Sequence, residues 1–330
     1  MTDNNILVTG GAGYIGSHTV LALNEAGYVV TALDNLSTGL AGAVLPPARL
    51  IVADLADTRR LDEIFRQGQF AAVMHFAASI VVPESVARPL DYYTNNVTNM
   101  ISLLQAVERH KVRRFIFSSS AAVYGIPDAV PVPETAHTAP ISPYGRTKVM
   151  AEWMLQDLAA AAPWFRVGIL RYFNVGGCDP QGRLGQNNPK ATHLIKVACQ
   201  AALGQRAEFQ VYGVDYPTGD GTGVRDFIHV SDLAHAHLEL LNVLEAGSPS
   251  LTLNCGYGRG YSVHEVVNAV KMISGVDFPV TIAPRRAGDP PEMVADIRQI
   301  LSQTQWRPAY ADLRFIIQSA LDWERRLAGR

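Results

Sequence analysis

The sequence predicts an α/β protein: a doubly wound parallel sheet in the first half and a smaller C-terminal α/β domain. Three observations indicate this. Short apolar runs alternate with longer amphipathic segments, a glycine-rich turn follows the first run, and the alternation loosens after about Gly176. Brief apolar runs without polar alternation are typical of strands covered by helices on both faces. Their alternation with helices is typical of a doubly wound sheet.

The predicted elements of the first half can be placed in order. The strands are expected at residues 6–9, 29–33, 50–52, 72–75, 115–118 and 167–170. The helices are expected at residues 14–25, 90–108 and 144–161. Gly27 follows the first helix and Pro163 follows the third, and both residue types are common stop signals.

The second half is less regular. Residues 176–189 and 215–223 are dense in Gly, Pro, Asn and Asp, which indicates long loops outside the sheet. A helix at 231–244 and a strand at 252–255 are expected to return to the first domain. Ser262 and Glu265 have the spacing of a capping box, which predicts further helices from there on. We therefore expect one domain from residues 1–176 and about 229–257, and another from residues 177–228 and 258–330.

The composition excludes several classes of protein. Of 330 residues, 48% are hydrophobic and 18% are charged, which is typical of a globular chain. The 28 Lys and Arg residues nearly balance the 30 Asp and Glu residues, so no nucleic-acid or membrane partner is expected. The cysteines Cys178, Cys199 and Cys255 suit neither a disulfide framework nor a zinc site. With neither a signal peptide nor a membrane span in the pattern, a cytoplasmic protein is predicted.

A glycine-rich turn joins the first strand to the first helix. Gly10, Gly13 and Gly16 permit a tight turn, close approach of backbone to a pyrophosphate and close packing of helix on sheet. The helix N-terminus, at Tyr14 and Ile15, supplies free N–H groups and a positive dipole to phosphates. A glycine triplet alone also suits an ordinary strand–helix turn. Together with its flanking elements and the acidic residue described next, it predicts a dinucleotide-binding Rossmann domain.

The second strand ends at Asp34, which is placed to bind the ribose of a dinucleotide. A carboxylate there accepts a hydrogen bond from the 2′-hydroxyl but repels a 2′-phosphate, and residues 35–38, beginning with Asn35, include no arginine. NAD is therefore predicted rather than NADP. Asp54, followed by Leu55, is either close to the adenine or a solvated loop residue. The backbone after the fourth strand is expected to line the other side of the cofactor, at Phe76, Ala77 and Ala78.

Ser120, Tyr144 and Lys148 are the predicted catalytic residues. Ser120 follows the fifth strand, at the carboxyl edge where ligands of open α/β sheets bind. Tyr144 and Lys148 are four residues apart on a predicted helix and so share one face. A phenol with a pKa of about 10 needs help to act as a base, and a neighbouring ammonium with a positive nicotinamide ring would provide it. The alternative is a surface tyrosine beside a solvated lysine.

These residues resemble the extended, sugar-nucleotide-modifying branch of the short-chain dehydrogenase/reductase superfamily, most closely the UDP-glucose (UDP-galactose) 4-epimerases. The most specific match is the Asp-Gly-Thr-Gly-Val-Arg-Asp sequence at 220–226. The matching stretches cover almost the whole chain, at residues 10–18, 34–36, 117–125, 142–148, 170–174, 216–230 and 283–286.

The resemblance implies that the protein interconverts UDP-glucose and UDP-galactose through a transient 4-keto sugar, with hydride passed to and from tightly bound NAD. Tyr144 would take the C4 hydroxyl proton, and Ser120 would hold that hydroxyl. Arg225 and Arg286 would grip the diphosphate. The remaining implied contacts are Asn95, Ser118, Tyr172 and Phe173 for the cofactor, and Asn174, Leu194, Gln210, Tyr212 and Asp289 for the substrate. Pairing of two subunits through the helices at 90–108 and 144–161 is also implied.

Three residues depart from the family pattern. Ile80 replaces a frequent lysine close to the cofactor, and His193 replaces a frequent asparagine at the substrate. Met293 occupies the position where a tyrosine narrows the sugar pocket in glucose-restricted members and a smaller residue admits N-acetylhexosamines. Because methionine is intermediate in bulk and pliable, we expect glucose and galactose as the main pair, with N-acetylated sugars as further candidates.

Other activities on the same fold remain open from the sequence. A sugar-nucleotide dehydratase would carry Asp and Glu after its active-site residue, whereas Ala121 and Ala122 follow Ser120 here. A plain NAD-dependent dehydrogenase would share the motifs. A non-enzymatic NAD-sensing protein would usually lack the Tyr144–Lys148 pair.

Overall fold

The main sheet contains seven parallel strands among the residues described by the structure, a computed structural model covering residues 4–189, 191–286 and 289–329. Its strands are β1 Asn5–Thr9, β2 Val29–Asp34, β3 Arg49–Val52, β4 Ala72–His75, β5 Arg114–Ser118, β6 Arg166–Tyr172 and β10 Leu251–Cys255. Their order is β10-β6-β5-β4-β1-β2-β3. The predicted doubly wound α/β fold is confirmed.

Helices connect and flank these strands. They are α1 Tyr14–Glu25, α2 Thr58–Gly68, α3 Val82–Ala87, α4 Pro89–Tyr93, α5 Asn99–Arg109, α6 Pro143–Ala161, α7 Leu194–Ala202, α8 Val230–Glu245, α9 Val263–Ser274, α10 Arg298–Gln303 and α11 Leu313–Ala328. The predicted capping box is present at α9, where the Ser262 and Glu265 side chains each accept a hydrogen bond from the other's backbone N–H. Ser142 caps α6 through a bond from the Gly145 N–H, and this cap fixes where the helix begins.

Successive residues of the central strand β1 bury their side chains on opposite faces of the main sheet. Ile6 and Val8 pack into a core shared with α1 and α8, whereas Leu7 packs into a core shared with α2, α5 and α6. Burial on both faces explains the continuous apolar runs seen in the sequence.

The helix predicted at 90–108 is not continuous. It divides into α4, a π-helical turn at Thr94–Thr98, and α5. Asn96 in this turn is buried and bonds three groups: its Oδ1 accepts from the Ser79 N–H at 2.8 Å, and its Nδ2 donates to the Ser79 carbonyl at 2.9 Å and to Thr147 Oγ1 at 3.1 Å. The tertiary bonds of Asn96 therefore outweigh the regular helical pattern, and π-turns of this kind are frequent at functional sites.

A second, smaller region holds short strands. These are β7 Asn174–Gly176, β8 Phe209–Tyr212, β9 Val224–His229, β11 Gly260–Ser262, β12 Val280–Ala283 and β13 Glu292–Met293. β9 lies between β11 and β13 and also pairs with β7, while β8 pairs with β12. α7, α9 and α11 share a core with this region. None of these six short strands was predicted from the sequence.

Within the described residues, every helix is too short or too polar to cross a lipid bilayer.

Candidate active site

The glycine turn between β1 and α1 leaves no room for side chains. Gly10 has φ +71°, and a Cβ there would lie 2.6 Å from the Ala77 nitrogen. A Cβ on Gly16 would lie 2.1 Å from the Gly10 carbonyl oxygen. Gly13 precedes α1, whose N-terminus receives no side-chain cap from the described residues. The first N–H groups of α1, at Tyr14, Ile15 and Gly16, are therefore free to bind an anion.

Asp34 lies beside this turn at the end of β2. Its Oδ2 accepts from the Ala12 N–H at 3.0 Å, and its Oδ1 accepts from the Leu36 N–H at 2.8 Å. Each oxygen keeps a further lone pair for a ribose hydroxyl.

Asp54 and Leu55 follow β3, next to the end of β2. Asn35 donates its Nδ2 to Asp54 Oδ2 at 2.8 Å, which brings these two predicted cofactor residues together. Leu55 packs its side chain into the hydrophobic core, so its backbone would make any cofactor contact.

The segment after β4 forms the other side of the same cleft. The Phe76 N–H donates to the Thr9 carbonyl, and the Phe76 ring packs on His237 with centroids 4.7 Å apart. Ala77 contacts the glycine turn directly. Ala78 continues this segment toward Ser79, whose hydroxyl accepts from Asn95 Nδ2 at 3.2 Å. The structure thus brings the predicted residues of the 76–95 stretch to the edge of the glycine turn.

The three predicted catalytic residues meet at the carboxyl edge of the main sheet. Tyr144 and Lys148 lie on one face of α6, with only 6% and 4% of their surface exposed. The Ser120 side chain lies close enough to the Tyr144 hydroxyl to lower its pKa. Lys148 donates its Nζ to the Ser118 carbonyl at 2.8 Å and lies 5.9 Å from the centroid of the Tyr144 ring. The alternative of a surface tyrosine beside a solvated lysine is therefore wrong.

Burial dominates the ionisation of both groups. Burial, with the neighbouring Tyr172, raises the pKa of Tyr144 well above its ordinary value, and the Ser120 hydrogen bond opposes that rise. Burial also lowers the pKa of Lys148 to about 8, against the effect of Glu152. The prediction that Lys148 and a positive nicotinamide ring together favour the phenolate stays a prediction, because desolvation dominates the pKa of Tyr144 among the protein groups alone. Positive charge from a cofactor is needed in addition.

Tyr172 and Phe173 extend the site past the end of β6. Ser118 donates its hydroxyl to the Tyr172 hydroxyl at 3.0 Å, so Tyr172 lies next to the catalytic group. Phe173 packs with Ala121, Tyr124 and Met293 in a small apolar cluster.

Two arginines in the smaller region lie against aromatic and acidic partners. Arg286 stacks on the Tyr212 ring, with its guanidinium carbon 3.7 Å from the centroid. Tyr212 in turn donates its hydroxyl to Gln210 Oε1 at 2.9 Å. Arg225 lies 4.0 Å from Asp289, and burial lowers the pKa of its guanidinium. Planar guanidinium forks suit phosphate oxygens, so these groups can hold a nucleotide diphosphate.

The remaining predicted substrate residues surround the same region. His193 precedes Leu194, the first residue of α7, and its ring lies 6.2 Å from that of Tyr14. His193 Nδ1 is buried without a hydrogen-bond partner among the described residues, and burial lowers the pKa of the ring to about 4. A buried neutral imidazole with an open nitrogen is suited to bind a ligand.

Asn174 and Met293 belong to two strands that each pair with β9. Asn174 begins β7 opposite Phe227, and Met293 ends β13 opposite Arg225. The sugar-pocket candidate Met293 therefore lies beside the diphosphate candidate Arg225.

Sequence reasoning missed several buried polar residues near the site. Asn96 ties the 76–79 segment to α6, and Glu152 with Arg171 forms a buried ion pair beneath Ser119. Asp226 accepts backbone N–H bonds from Tyr257, Gly258 and Ala295. The available signal was spacing, because Glu152 shares a helical face with Tyr144 and Lys148.

Within the described ranges, no group of three or more metal-ligating side chains is present.

Comparison with known proteins gives consistent results. Residues 6–256 match the family described as "Epimerase: NAD dependent epimerase/dehydratase family". The chain is 53% identical over 332 residues to a curated UDP-glucose 4-epimerase of Azospirillum brasilense, covering 99% of this chain and 95% of that protein.

Solved structures share the fold. A UDP-glucose 4-epimerase from Brucella ovis in complex with NAD has a TM-score of 0.93 and 44% identity, with 97% of this chain and 98% of that chain covered. The UDP-Glc/GlcNAc 4-epimerase from Campylobacter jejuni has a TM-score of 0.86 and 47% identity, with 98% of this chain and 99% of that chain covered.

Proposed function

We propose that this chain, which belongs to the NAD dependent epimerase/dehydratase family, interconverts UDP-glucose and UDP-galactose by inversion at C4 of the hexose. The observation that carries this is the meeting of Tyr144, Ser120 and Lys148 beside the glycine turn. The protein is an isomerase, and its cofactor is NAD.

The residues of the cleft fit NAD. A Cβ at Gly10 or Gly16 would fill the cradle beneath the free helix N-terminus, where the pyrophosphate would bind. The fixed carboxylate of Asp34 would accept from the ribose hydroxyls, and its charge disfavours a 2′-phosphate. When bound, NAD supplies the reversible acceptance and return of a hydride at C4.

Tyr144 is the proton acceptor at the C4 hydroxyl. Because burial holds it as a neutral phenol, it becomes basic only when positive charge approaches, from Lys148 and from the oxidised nicotinamide ring. Ser120 lies beside Tyr144 and would bind the same substrate hydroxyl. Tyr144 would return the same proton to the 4-keto oxygen when the hydride is returned to the opposite face of C4, so the proton and the hydride balance over the whole reaction.

The nucleotide is held more firmly than the sugar. Arg225 and Arg286 would bind the diphosphate, with His193, Gln210, Tyr212 and Asp289 around the nucleotide. Asn174 and Leu194 would contact the sugar or uridine. The groups around Phe173 and Met293 are apolar, so they leave a keto sugar free to turn about its bond to the diphosphate. Ala121 and Ala122 carry no acid or base, which disfavours elimination.

Glucose and galactose are the main sugar pair in this proposal. Met293 is buried in the cluster with Phe173 and Ala121 and is pliable. N-acetylated UDP-sugars are secondary substrates in this proposal, which is supported by the similarity to the UDP-Glc/GlcNAc 4-epimerase from Campylobacter jejuni.

Exposed apolar side chains support a proposed oligomeric state, and the cysteines support a proposed location in the cell. Leu90, Ile101 and Trp153 expose 77%, 43% and 55% of their surface on α4, α5 and α6, which favours a homodimer through these helices. Free, buried cysteines favour the reducing cytoplasm. The division into residues 1–176 with about 229–257, and residues 177–228 with 258–330, remains a proposal.

The Tyr144→Phe variant tests the function. This change removes the proton acceptor and keeps the ring, so kcat for conversion of UDP-galactose to UDP-glucose is expected to fall about 10²- to 10⁴-fold. NAD content and the dissociation constant for UDP-galactose should change little. The matched control is Tyr28→Phe, since the Tyr28 hydroxyl bonds Glu245 far from the site.

Two results would contradict the proposal. Wild-type protein that binds NAD and UDP-galactose without turnover would indicate an NAD-sensing protein. A Tyr144→Phe variant as active as Tyr28→Phe would show that the phenol is not the proton acceptor.

A further inference from the structure

A buried ion pair lies directly beneath the catalytic residues. Glu152 is on α6, one helical turn beyond Lys148, and Arg171 is on β6. Arg171 donates its Nη2 to Glu152 Oε2 at 2.6 Å and its Nε to both carboxylate oxygens at 3.0 and 3.2 Å. The side chains of Arg171 and Glu152 are 7% and 2% exposed. Neither residue has a role in the function proposed above.

Ser119 connects this ion pair to the catalytic segment. Its hydroxyl donates to Glu152 Oε1 at 2.5 Å, and its side chain is fully buried. The residue before it, Ser118, provides the carbonyl that accepts from Lys148 Nζ. The residue after it, Ser120, has its side chain beside the Tyr144 hydroxyl and lowers the pKa of that phenol. The Glu152 carboxylate thus fixes Ser119. The two chain neighbours of Ser119 contact the catalytic residues Lys148 and Tyr144.

The same network extends toward the proposed sugar pocket. Arg171 donates its Nη1 to the Tyr124 hydroxyl at 3.1 Å, and that hydroxyl donates to Asn254 Oδ1 at 2.6 Å. Asn254 Nδ2 donates to the Val132 carbonyl at 2.8 Å, and the Val132 N–H donates to the Val294 carbonyl. Val294 follows Met293. The polar chain therefore joins the catalytic segment to the residue that follows Met293, the proposed sugar-pocket residue.

A stability role alone does not account for this arrangement. Burying two charges costs several kcal/mol per ion, and replacing buried ion pairs by apolar residues is often neutral or stabilising. A fully bonded carboxylate does, however, fix the direction of each donor.

From this geometry we infer that Glu152 is a positioning residue for the reaction, acting through Ser119 on Ser120 and on the Ser118 carbonyl. This inference rests on the proposed function, because it assigns to Glu152 a role in the same proton transfer. Arg171 holds the carboxylate in place and balances its charge.

Glu152 also acts on the charge of Lys148. Burial lowers the pKa of Lys148 and Glu152 raises it. The titratable or charged groups near Lys148 are Tyr144 and Glu152 on α6, His75 on β4, and Arg171 and Tyr172 on β6. Burial lowers the pKa of His75 to about 3, so it is neutral and adds no charge.

The first test is Ser119→Ala, which removes the link and leaves Glu152 bonded to Arg171. Its kcat for UDP-galactose is expected to fall about tenfold with KM within twofold, because misplaced catalytic groups slow chemistry without weakening nucleotide binding. Ser319→Ala, another buried serine, on α11, is the matched control and should keep kcat at the wild-type value.

The second test is Glu152→Gln in the NAD-loaded protein. The alkaline limb of its kcat–pH profile is expected to move about one unit lower, since Lys148 loses a negative neighbour and Arg171 an opposing charge. A purely structural role would lower the melting temperature without moving this limb.

The outcomes separate the two proposals. Equal kcat in Ser119→Ala and Ser319→Ala would overturn the positioning role while the epimerase function stands. An unmoved alkaline limb in Glu152→Gln would overturn the action of Glu152 on the charge of Lys148. An inactive wild-type protein would overturn the proposed function and the positioning role together.

Discussion

The main sheet and the smaller region build their parts of the site in different ways. Beside the main sheet, the proposed cofactor groove consists mostly of backbone, at the glycine turn and the free N-terminus of α1. One side chain, the Asp34 carboxylate, is added and is fixed by two backbone N–H groups. In the smaller region, the groups are the ends of long side chains, such as Arg286 stacked on Tyr212. An atom added to a site built from backbone clashes and abolishes binding, whereas a substitution in a site built from side chains changes the affinity gradually. We therefore expect the main sheet to hold the tightly bound cofactor and the smaller region to hold the substrate, whose sugar can vary.

Acid is expected to produce the largest effect, and to act on both regions at once. Burial lowers the pKa of these histidines from 6.5 to about 3 or 4: His18, His75, His193, His229 and His237. The folded protein therefore excludes protons that the unfolded chain takes up, so stability is present above pH 6.5 and is lost below it.

Each histidine contributes about 1.4 kcal/mol between pH 7.5 and 5.5. Asp226, whose pKa burial raises to about 6, offsets part of this loss. Urea unfolding is expected to give a free energy about 6 kcal/mol lower at pH 5.5, with one transition for both regions. Equal midpoints at the two pH values would refute the account of buried neutral histidines, and separate transitions would show that the regions unfold independently.

Gly16→Ala tests the backbone-built region. The new Cβ would lie 2.1 Å from the Gly10 carbonyl oxygen, so we expect the free energy of unfolding to fall by about 3 kcal/mol or more. Retained NAD, measured after denaturing the purified protein, should be lost. At Gly42 a Cβ would meet no described atom within 4 Å, so Gly42→Ala should melt and bind NAD as the wild type does. Retained NAD in Gly16→Ala would contradict the tight turn.

Arg286→Ala tests the side-chain-built region. Loss of a charged donor to the diphosphate is worth about 2 kcal/mol, so KM for UDP-galactose is expected to rise about 10- to 100-fold. NAD content and melting temperature should be unchanged. Arg298→Ala is the matched control, because that exposed side chain pairs only with Asp296 among the described residues. Loss of NAD in Arg286→Ala would contradict the claim that the two regions bind different ligands.

Met293→Tyr is expected to have the smallest effect and to sharpen specificity. A larger ring beside Phe173 narrows the pocket, so kcat/KM for UDP-N-acetylgalactosamine should fall about tenfold while that for UDP-galactose changes little. Steady-state kinetics on both sugars measures the ratio. Wild-type protein with comparable kcat/KM on both sugars would reject glucose and galactose as the preferred pair.

The sequence predicted the two regions unequally. In the main sheet, strands buried on both faces are read from apolar runs, and the bounds of α1 were predicted correctly. The smaller region pairs β8 with β12 and β9 with β13, strands far apart in the chain, so local pattern gave no signal for them.

Tertiary contacts account for the other differences. The π-turn at Thr94–Thr98 depends on bonds from Asn96 to Ser79 and Thr147, which no local pattern contains. Spacing correctly placed Tyr144 and Lys148 on one face, but it could not show that burial outweighs the lysine charge. Desolvation is a property of the assembled fold, and this is why the burial-raised pKa of Tyr144 could not be predicted from the sequence.

The central claim is that Tyr144 acts at C4 beside a retained NAD. The most direct test incubates the purified protein with UDP-galactose deuterated at C4, without adding NAD. The account predicts that UDP-glucose accumulates with its deuterium still at C4, because the hydride is returned to the same sugar. Dependence on added NAD, or exchange of the deuterium with solvent, would contradict it.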